Sequence, residues 1–400
     1  DANRLYPDEE QGVSFIDEFE GSKTSFNFAS PTRWSLAAAP AAIPGYDTDL
    51  GLAPTSLLSK IERSDMRSQF AWYTIPINVS SIIDVPRTRE TRLIQVSDVF
   101  DRQTLQQDNF LNTLDIYYNP TTRGQYNYNR QLKNLLENEP DKTWGGMTTT
   151  LPQGLENLTL NNIEFIEFWV QPIIPDSILK NGSNASAAIK EDYRGKIYID
   201  LGTISEDLIP NFSSNNEDGL AQGGAGNLNE DQQSGIPPRS LVLRRPIDYD
   251  GQFSINSLED EDVGLDGIPN NPGLGGYNET DFFQDFVASV QPQYGTNHAV
   301  TQAVFADPSN DDYYYWAESA YTGKSLQERF LRMFGYSEEN SRTTGEKRAI
   351  TNRPDAEGLI IPTAPNTRDS YYQYEIDLNP ADPNSLSKDL PYIVDIKIGR

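Results

Sequence analysis

Short runs of period-two alternation, set apart by polar stretches of very unequal length, constrain this chain more than anything else in its sequence. Alternation of apolar and polar side chains is the signature of a strand with one face buried. In Lys196 to Leu201, the side chains of Ile197, Ile199 and Leu201 share a face. In Tyr372 to Leu378, the tyrosines, Ile376 and Leu378 oppose Gln373, Glu375 and Asp377. Tyr392, Val394, Ile396 and Ile398 oppose Asp395 and Lys397 in the same way. Ile163 to Val170 is apolar on both sides, with Phe165 and Trp169 on one face and Ile166, Phe168 and Val170 on the other. It reads as a central strand covered from both sides, which places Phe165, Phe168 and Trp169 in a core.

Helical signals are fewer. Ser325-Leu326-Gln327-Glu328 is a capping box. Leu326, Phe330, Met333 and Phe334 then fall on one helical stripe, and Gly335 supplies a stop, so a short helix is expected over 325–335. A second short helix is expected around Leu132 to Glu137. Asn211 to Ser240 is rich in Gly, Asn, Asp and Ser, with Gly223-Gly224 and Pro237-Pro238 as breakers, and Asp260 to Asn278 is acidic and rich in Gly and Pro. The whole chain, 1–400, therefore reads as one β-rich segment of a longer protein. Its core strands are expected near 13–40, 70–79, 111–118, 162–172, 195–202 and 371–398, with long polar insertions at 211–240 and 259–281. Unequal spacing of the strands favours a mainly β fold, a jelly-roll-like β-sandwich with long irregular insertions and a few short helices. A membrane barrel needs strands of about 10 residues recurring at regular spacing, which this chain lacks.

Composition excludes several functions. Lys and Arg number 32 against 59 Asp and Glu, a formal charge of −27, so the surface repels the phosphates of nucleic acid and of anionic lipid. With no cysteine there is no disulfide framework, thiolate metal site or thiol nucleophile, and with His298 alone there is no histidine metal cluster. No apolar run approaches the roughly 20 residues of a membrane helix.

Catalytic constellations are equally scarce. Glu164 and Glu167 have opposite strand parity and cannot converge on one glycosidic bond. His298 sits in a Gly-Thr-Asn-His turn with no nucleophile elbow in the chain, and reads as a polar loop histidine. Gly223 to Gly226 is low-complexity sequence, not a phosphate loop. Asp260, Asp262 and Asp266 are the one candidate metal set. They occupy positions one, three and seven of a loop that includes Gly264 and Gly267, a spacing that turns several carboxylates toward one calcium ion. Position five is Gly264 and no distal glutamate is fixed by spacing, so a solvated acidic loop is the competing reading. Trp34, Trp72 and Trp169 offer rings that stack on sugar, against the plainer reading that they fill the core. No enzyme activity is expected.

Several separated blocks carry a resemblance. They include Phe15-Ile16-Asp17-Glu18-Phe19-Glu20-Gly21-Ser22, Trp34-Ser35-Leu36-Ala37-Ala38-Ala39-Pro40, and Leu114 to Pro120 with Arg123-Gly124-Gln125-Tyr126-Asn127-Tyr128. Trp144-Gly145-Gly146-Met147, Asn162 to Trp169, Asp200 to Asp207, Asp262-Val263-Gly264-Leu265-Asp266-Gly267, Asp307-Pro308-Ser309, Glu328-Arg329-Phe330 and Tyr371 to Tyr374 continue them in order. Together they resemble the SprA/Sov family, the outer-membrane translocons of the type 9 secretion system. Thr148-Thr149 and Gln171 depart from the family pattern. The resemblance implies an extracellular structural and gating segment at the pore mouth of a large barrel, on the cell surface. It also implies partners: the rest of the barrel, a PorV-like shuttle protein and secreted cargo, with no nucleic acid. A carbohydrate-binding jelly roll at the cell surface is the alternative.

Overall fold

The computed structural model describes residues 26–43, 57–100, 109–171 (apart from 159, 162 and 164), 195–217, 228–230, 239–243, 263–270, 278–336 and 354–378 (apart from 363). The chain divides into two units, one of residues 1–28 with 150–171 and one of residues 29–149 with 172–400.

The larger unit is organised by the strand Ser68–Tyr73. It pairs antiparallel with Asp115–Arg123, Trp72 opposite Ile116 and Tyr73 opposite Asp115, with a shift of register after Ser68. Side chains alternate across a strand, and here both sides are covered. Phe70 and Trp72 point into one apolar cluster, with Tyr126, Tyr128, Leu132, Leu135, Phe283, Phe286, Val287 and Val290. Ala71 and Tyr73 point into another, with Ile75, Val79, Tyr313, Leu326, Phe330, Met333 and Tyr336. The Trp72 indole is completely buried. Its N–H donates to the Pro31 carbonyl at 3.0 Å, and its ring stacks on Phe334 at 6.2 Å.

Helices supply the walls of these clusters. Leu132–Asn138 buries Leu132, Leu135 and Leu136, the i, i+3, i+4 stripe of one helical face. Gln284–Tyr294 buries Phe286, Val287 and Val290, with Val290 four residues after the first and three after the second. Leu326–Phe330 opens with the expected capping box, the Ser325 hydroxyl accepting from Glu328 N while the Glu328 carboxylate takes Ser325 N. Beyond it the backbone reverses at Gly335, whose φ of +81° is open to glycine at little cost; a β-carbon there would lie 2.9 Å from the Trp72 ring. Among the described residues no helix is long and apolar enough to cross a membrane.

A two-stranded ribbon, Gly195–Thr203 antiparallel to Ser370–Leu378, joins two of the alternating runs, with Tyr374 opposite Ile199 and Ile376 opposite Ile197. At its base the Lys60 ammonium, from the helix Leu57–Ser64, lies 3.3 Å from the Asp369 carboxylate, both side chains almost fully buried. Lys60 also donates to Ser205 Oγ and to the Thr367 carbonyl, which satisfies the charge out of water.

The architecture differs from the expected jelly-roll-like β-sandwich. Of the described residues 19% are strand and 26% helix, and their strands pair only in twos. Two packed sheets need laterally extended ladders, whereas among the described residues each strand has a single strand neighbour. Of the expected core strands, 70–79 is a strand only to Tyr73 and turns helical at Val79–Ile83. The 111–118 run splits into Phe110–Leu111 and Asp115–Arg123. From 13–40, Ser35–Leu36 pairs with Met147–Thr148. Residues 13–25 and the 392–398 run lie outside the described residues.

In the smaller unit the expected central strand is not a strand. Residues 165–171 belong to no helix and no ladder, and Phe165, Phe168 and Trp169 are 65%, 45% and 41% exposed. An apolar run records a demand for burial, but a strand also needs a partner edge for its N–H and C=O groups. Among the described residues nothing pairs with this one.

These environments give opposite expectations for two aromatic truncations. Trp72→Ala should destabilise the chain by about 3–5 kcal/mol, and Phe165→Ala should stay within about 0.5 kcal/mol. Urea unfolding followed by far-UV circular dichroism measures both.

Candidate metal centre

The larger unit holds three carboxylates that converge in its interior. Asp266, Glu279 and Asp311 each offer an oxygen within 4.8 Å of the other two. They are 0%, 1% and 2% exposed.

Each comes from a different local device. Asp266 lies in the turn Val263 to Gly267, closed by Gly267 N donating to the Gly264 carbonyl. Gly264 and Gly267 have φ of +75° and +72°, the left-handed conformation that favours glycine. At Gly264 space matters as well, because a β-carbon there would collide with the Asp311 carboxylate. Glu279 opens the short helix Glu279–Phe282, whose N-cap Asn278 accepts from Asp281 N at 2.9 Å. Asp311 lies in the loop after the helix Ala299–Ala306, where Asp311 N donates to Asp307 Oδ1 at 3.1 Å.

Hydrogen bonds orient these groups without saturating them. Asp266 Oδ1 accepts from Ile268 N at 3.0 Å, and Asp266 Oδ2 accepts from the Ser309 hydroxyl at 2.6 Å. That spends the Ser309 proton, so the Tyr128 hydroxyl, 2.8 Å away, donates to Ser309. The Tyr126 hydroxyl bonds the Asp311 carboxylate. Glu279 Oε1 and Asp311 Oδ2 are fully buried and accept nothing.

The electrostatics follow from burial. Loss of water raises the proton affinity of Asp266, Glu279 and Asp311, and their mutual repulsion with Asp307 adds to it. Asp307 is raised by burial too, although Arg332 at 2.9 Å opposes the shift. Arg123, also buried, donates to the Asp307, Pro308 and Asn127 carbonyls. Four buried carboxylates thus meet two guanidinium groups, and Asp312 adds a further acid at the rim. Oxygen donors alone, in negative excess, suit a hard cation. Another buried acid serves a different end. Glu357 accepts from Ile209 N, Asn215 N and Asn215 Nδ2, and so fixes loops with its oxygens occupied.

Of the sequence-derived metal residues, Asp266 is in the cluster, while Asp260 and Asp262 lie outside the described residues. Glu279 and Asp311 carry no local metal spacing, and only Asp307-Pro308-Ser309 in the family-like blocks marked the neighbourhood. His298 is a helix cap, its Nδ1 accepting from Val300 N at 3.3 Å and its ring stacked on Tyr294. Trp72 is buried, so it offers no ring to a sugar. Trp34 is partly buried against the core. Glu164 lies outside the described residues.

The fold and this centre define an acidic, cysteine-free domain of mixed helix and strand built around buried charge. Residues 285–397, which include Asp311, match the SprA_N family, described as motility related/secretion protein. The match bears out, over that part of the chain, the resemblance read from the sequence, and it links the chain to motility and secretion. No curated protein matches the chain.

A pH dependence follows from the raised proton affinities. The folded state holds protons on these carboxylates that the unfolded chain has released, so stability is greatest below about pH 4 for this cluster and falls as pH rises through the folded values. With divalent cations chelated, the urea midpoint should drop between about pH 5 and 8. Glu279→Gln should flatten the drop.

Proposed function

We propose that this chain is an extracellular structural and gating segment of a type 9 secretion translocon at the outer membrane, where it shapes the mouth of the pore through which folded cargo leaves. The observation that carries the reading is the SprA_N match over residues 285–397. The collinear family-like blocks extend it toward the start of the chain.

Physical properties support the same role. A formal charge of −27 gives a wall that repels acidic surfaces and keeps passing protein from lodging. A core fixed by fully buried polar side chains suits a scaffold. Arg67 is one such group, completely buried, with its guanidinium donating to the Gln125 and Ala37 carbonyls and lying 4.9 Å from the Trp144 ring. Burial lowers its pKa only to about 10, so it stays charged. The segment acts by shape and charge, without catalysis, against the barrel, a PorV-like shuttle protein and emerging cargo.

Deleting residues 1–400 from the parent translocon should abolish or misregulate cargo export, with no hydrolytic activity lost. A second variant neutralises Asp218, Glu230 and Asp231 and leaves the buried Glu217 intact, which separates a charge role from simple misassembly; export should change in it as well. Normal export by the deleted translocon, combined with lost adhesion to a glycan, would instead establish a carbohydrate-binding module.

A further inference from the structure

We propose that Asp266, Glu279 and Asp311 form an internal calcium site that clips together the turn at 263–267, the helix start at Glu279 and the loop at 307–312. The inference stands on the interior of this domain and is independent of its role in secretion.

Geometry is the first argument. Three atoms no more than 4.8 Å apart have a central point within about 2.8 Å of each. Calcium–oxygen bonds run about 2.3–2.6 Å, so a small inward shift completes three of them. Asp266 oxygens already accept one hydrogen bond each, and a carboxylate oxygen has a second lone pair for a cation.

The second argument is independent of spacing. Glu279 Oε1 and Asp311 Oδ2 are buried without a donor. A buried acceptor left unsatisfied costs about 1–3 kcal/mol, and more when it is charged. Glu357 and Asp369 answer the same problem with donors. Around Asp266, Glu279 and Asp311 it places more carboxylate instead. The neighbouring cations are committed: Arg332 to Asp307 and Asn310, and Arg123 to backbone carbonyls.

Ligand type decides between cations. Oxygen donors with no nitrogen or sulfur exclude a preference for zinc or copper. Donors drawn from three separate segments form a set of irregular geometry. Calcium tolerates such a set at six to eight ligands, whereas magnesium demands a near-ideal octahedron. Gly264 fits the same design, because any side chain there would push Asp311 out of the cluster.

The test uses the full 400-residue chain, stripped with chelator and titrated with Ca²⁺ by calorimetry. Terbium, a luminescent substitute for Ca²⁺, supplies a local readout, because Tyr126 bonds Asp311 and transfers excitation to an ion held there. Expected results are Ca²⁺ binding, a higher melting midpoint in Ca²⁺ than in chelator, and tyrosine-excited terbium emission that Ca²⁺ displaces. Glu279→Gln and Asp311→Asn should each weaken binding at least tenfold and abolish the emission while keeping the parent circular dichroism in chelator. Asp312→Asn, outside the three ligands, should bind within a few-fold of the parent. Should a ligand variant not fold, the parent chain decides alone. An unchanged midpoint and no terbium emission in millimolar ion overturn the proposal. So do folded variants that bind as the parent does, and tighter binding of Mg²⁺ than of Ca²⁺ overturns the assignment to calcium.

Discussion

Everything in the larger unit depends on burying one six-residue strand on both faces. Ser68–Tyr73 sends Phe70 and Trp72 one way and Ala71 and Tyr73 the other, and each direction meets its own apolar cluster. A strand on the edge of a sandwich would have one wet face. This one has none, so the chain must bring helices and loops to both sides. The helices Leu132–Asn138 and Gln284–Tyr294 line one cluster, and Leu326–Phe330 lines the other. Trp72 links them, since Phe334 stacks on its ring and packs against both clusters. A segment more than 250 residues downstream thereby closes over the strand that organises the unit.

Burial of that strand draws polar chain in with it, and the unit satisfies the resulting demand in two contrasting ways. Arg67, Arg123 and Asn127 direct their donors to backbone carbonyls of loops that have no ladder of their own. Such bonds give an irregular backbone the partners that a sheet would have supplied. Gly124 shows how tight this packing is, because a β-carbon there would lie 2.5 Å from the Ser68 carbonyl oxygen. Carboxylates divide into those that cap loops, such as Glu357, and those that face one another, Asp266, Glu279 and Asp311. The second group brings its empty acceptors, Glu279 Oε1 and Asp311 Oδ2, together in one place.

The acidity of the chain therefore has two physical meanings. One part, as at Asp285, is exposed charge, which governs what the domain repels. A small part is interior charge, which governs how distant segments are held. In the proposed secretion role, the first would act on passing protein and the second on the rigidity of the wall it passes.

Local pattern settled the elements whose partners lie close in sequence or whose signal is self-contained. The capping box at Ser325 and Glu328 needs only four consecutive residues, and the helix begins there. The helix ends at Phe330, five residues short of the expected stop at Gly335. The alternating runs at 196–201 and 372–378 are both strands, and they pair with each other. The helix Gln284–Tyr294, with its Phe286, Val287 and Val290 face, carried a readable spacing, although Pro292 near its end and the acidic residues before it masked the signal. Tertiary structure alone decided the rest. Period two states that a residue seeks burial, not which surface provides it, so the stretch 165–170 stays exposed while the strand 68–73 is buried but for the half-buried Gln69. Likewise the spacing around Asp266 marked a turn that aims a carboxylate inward, but Glu279 and Asp311 lie 13 and 45 residues further on. Their meeting is a property of packing, because three like charges gather only where the surrounding fold is strong enough to hold them there.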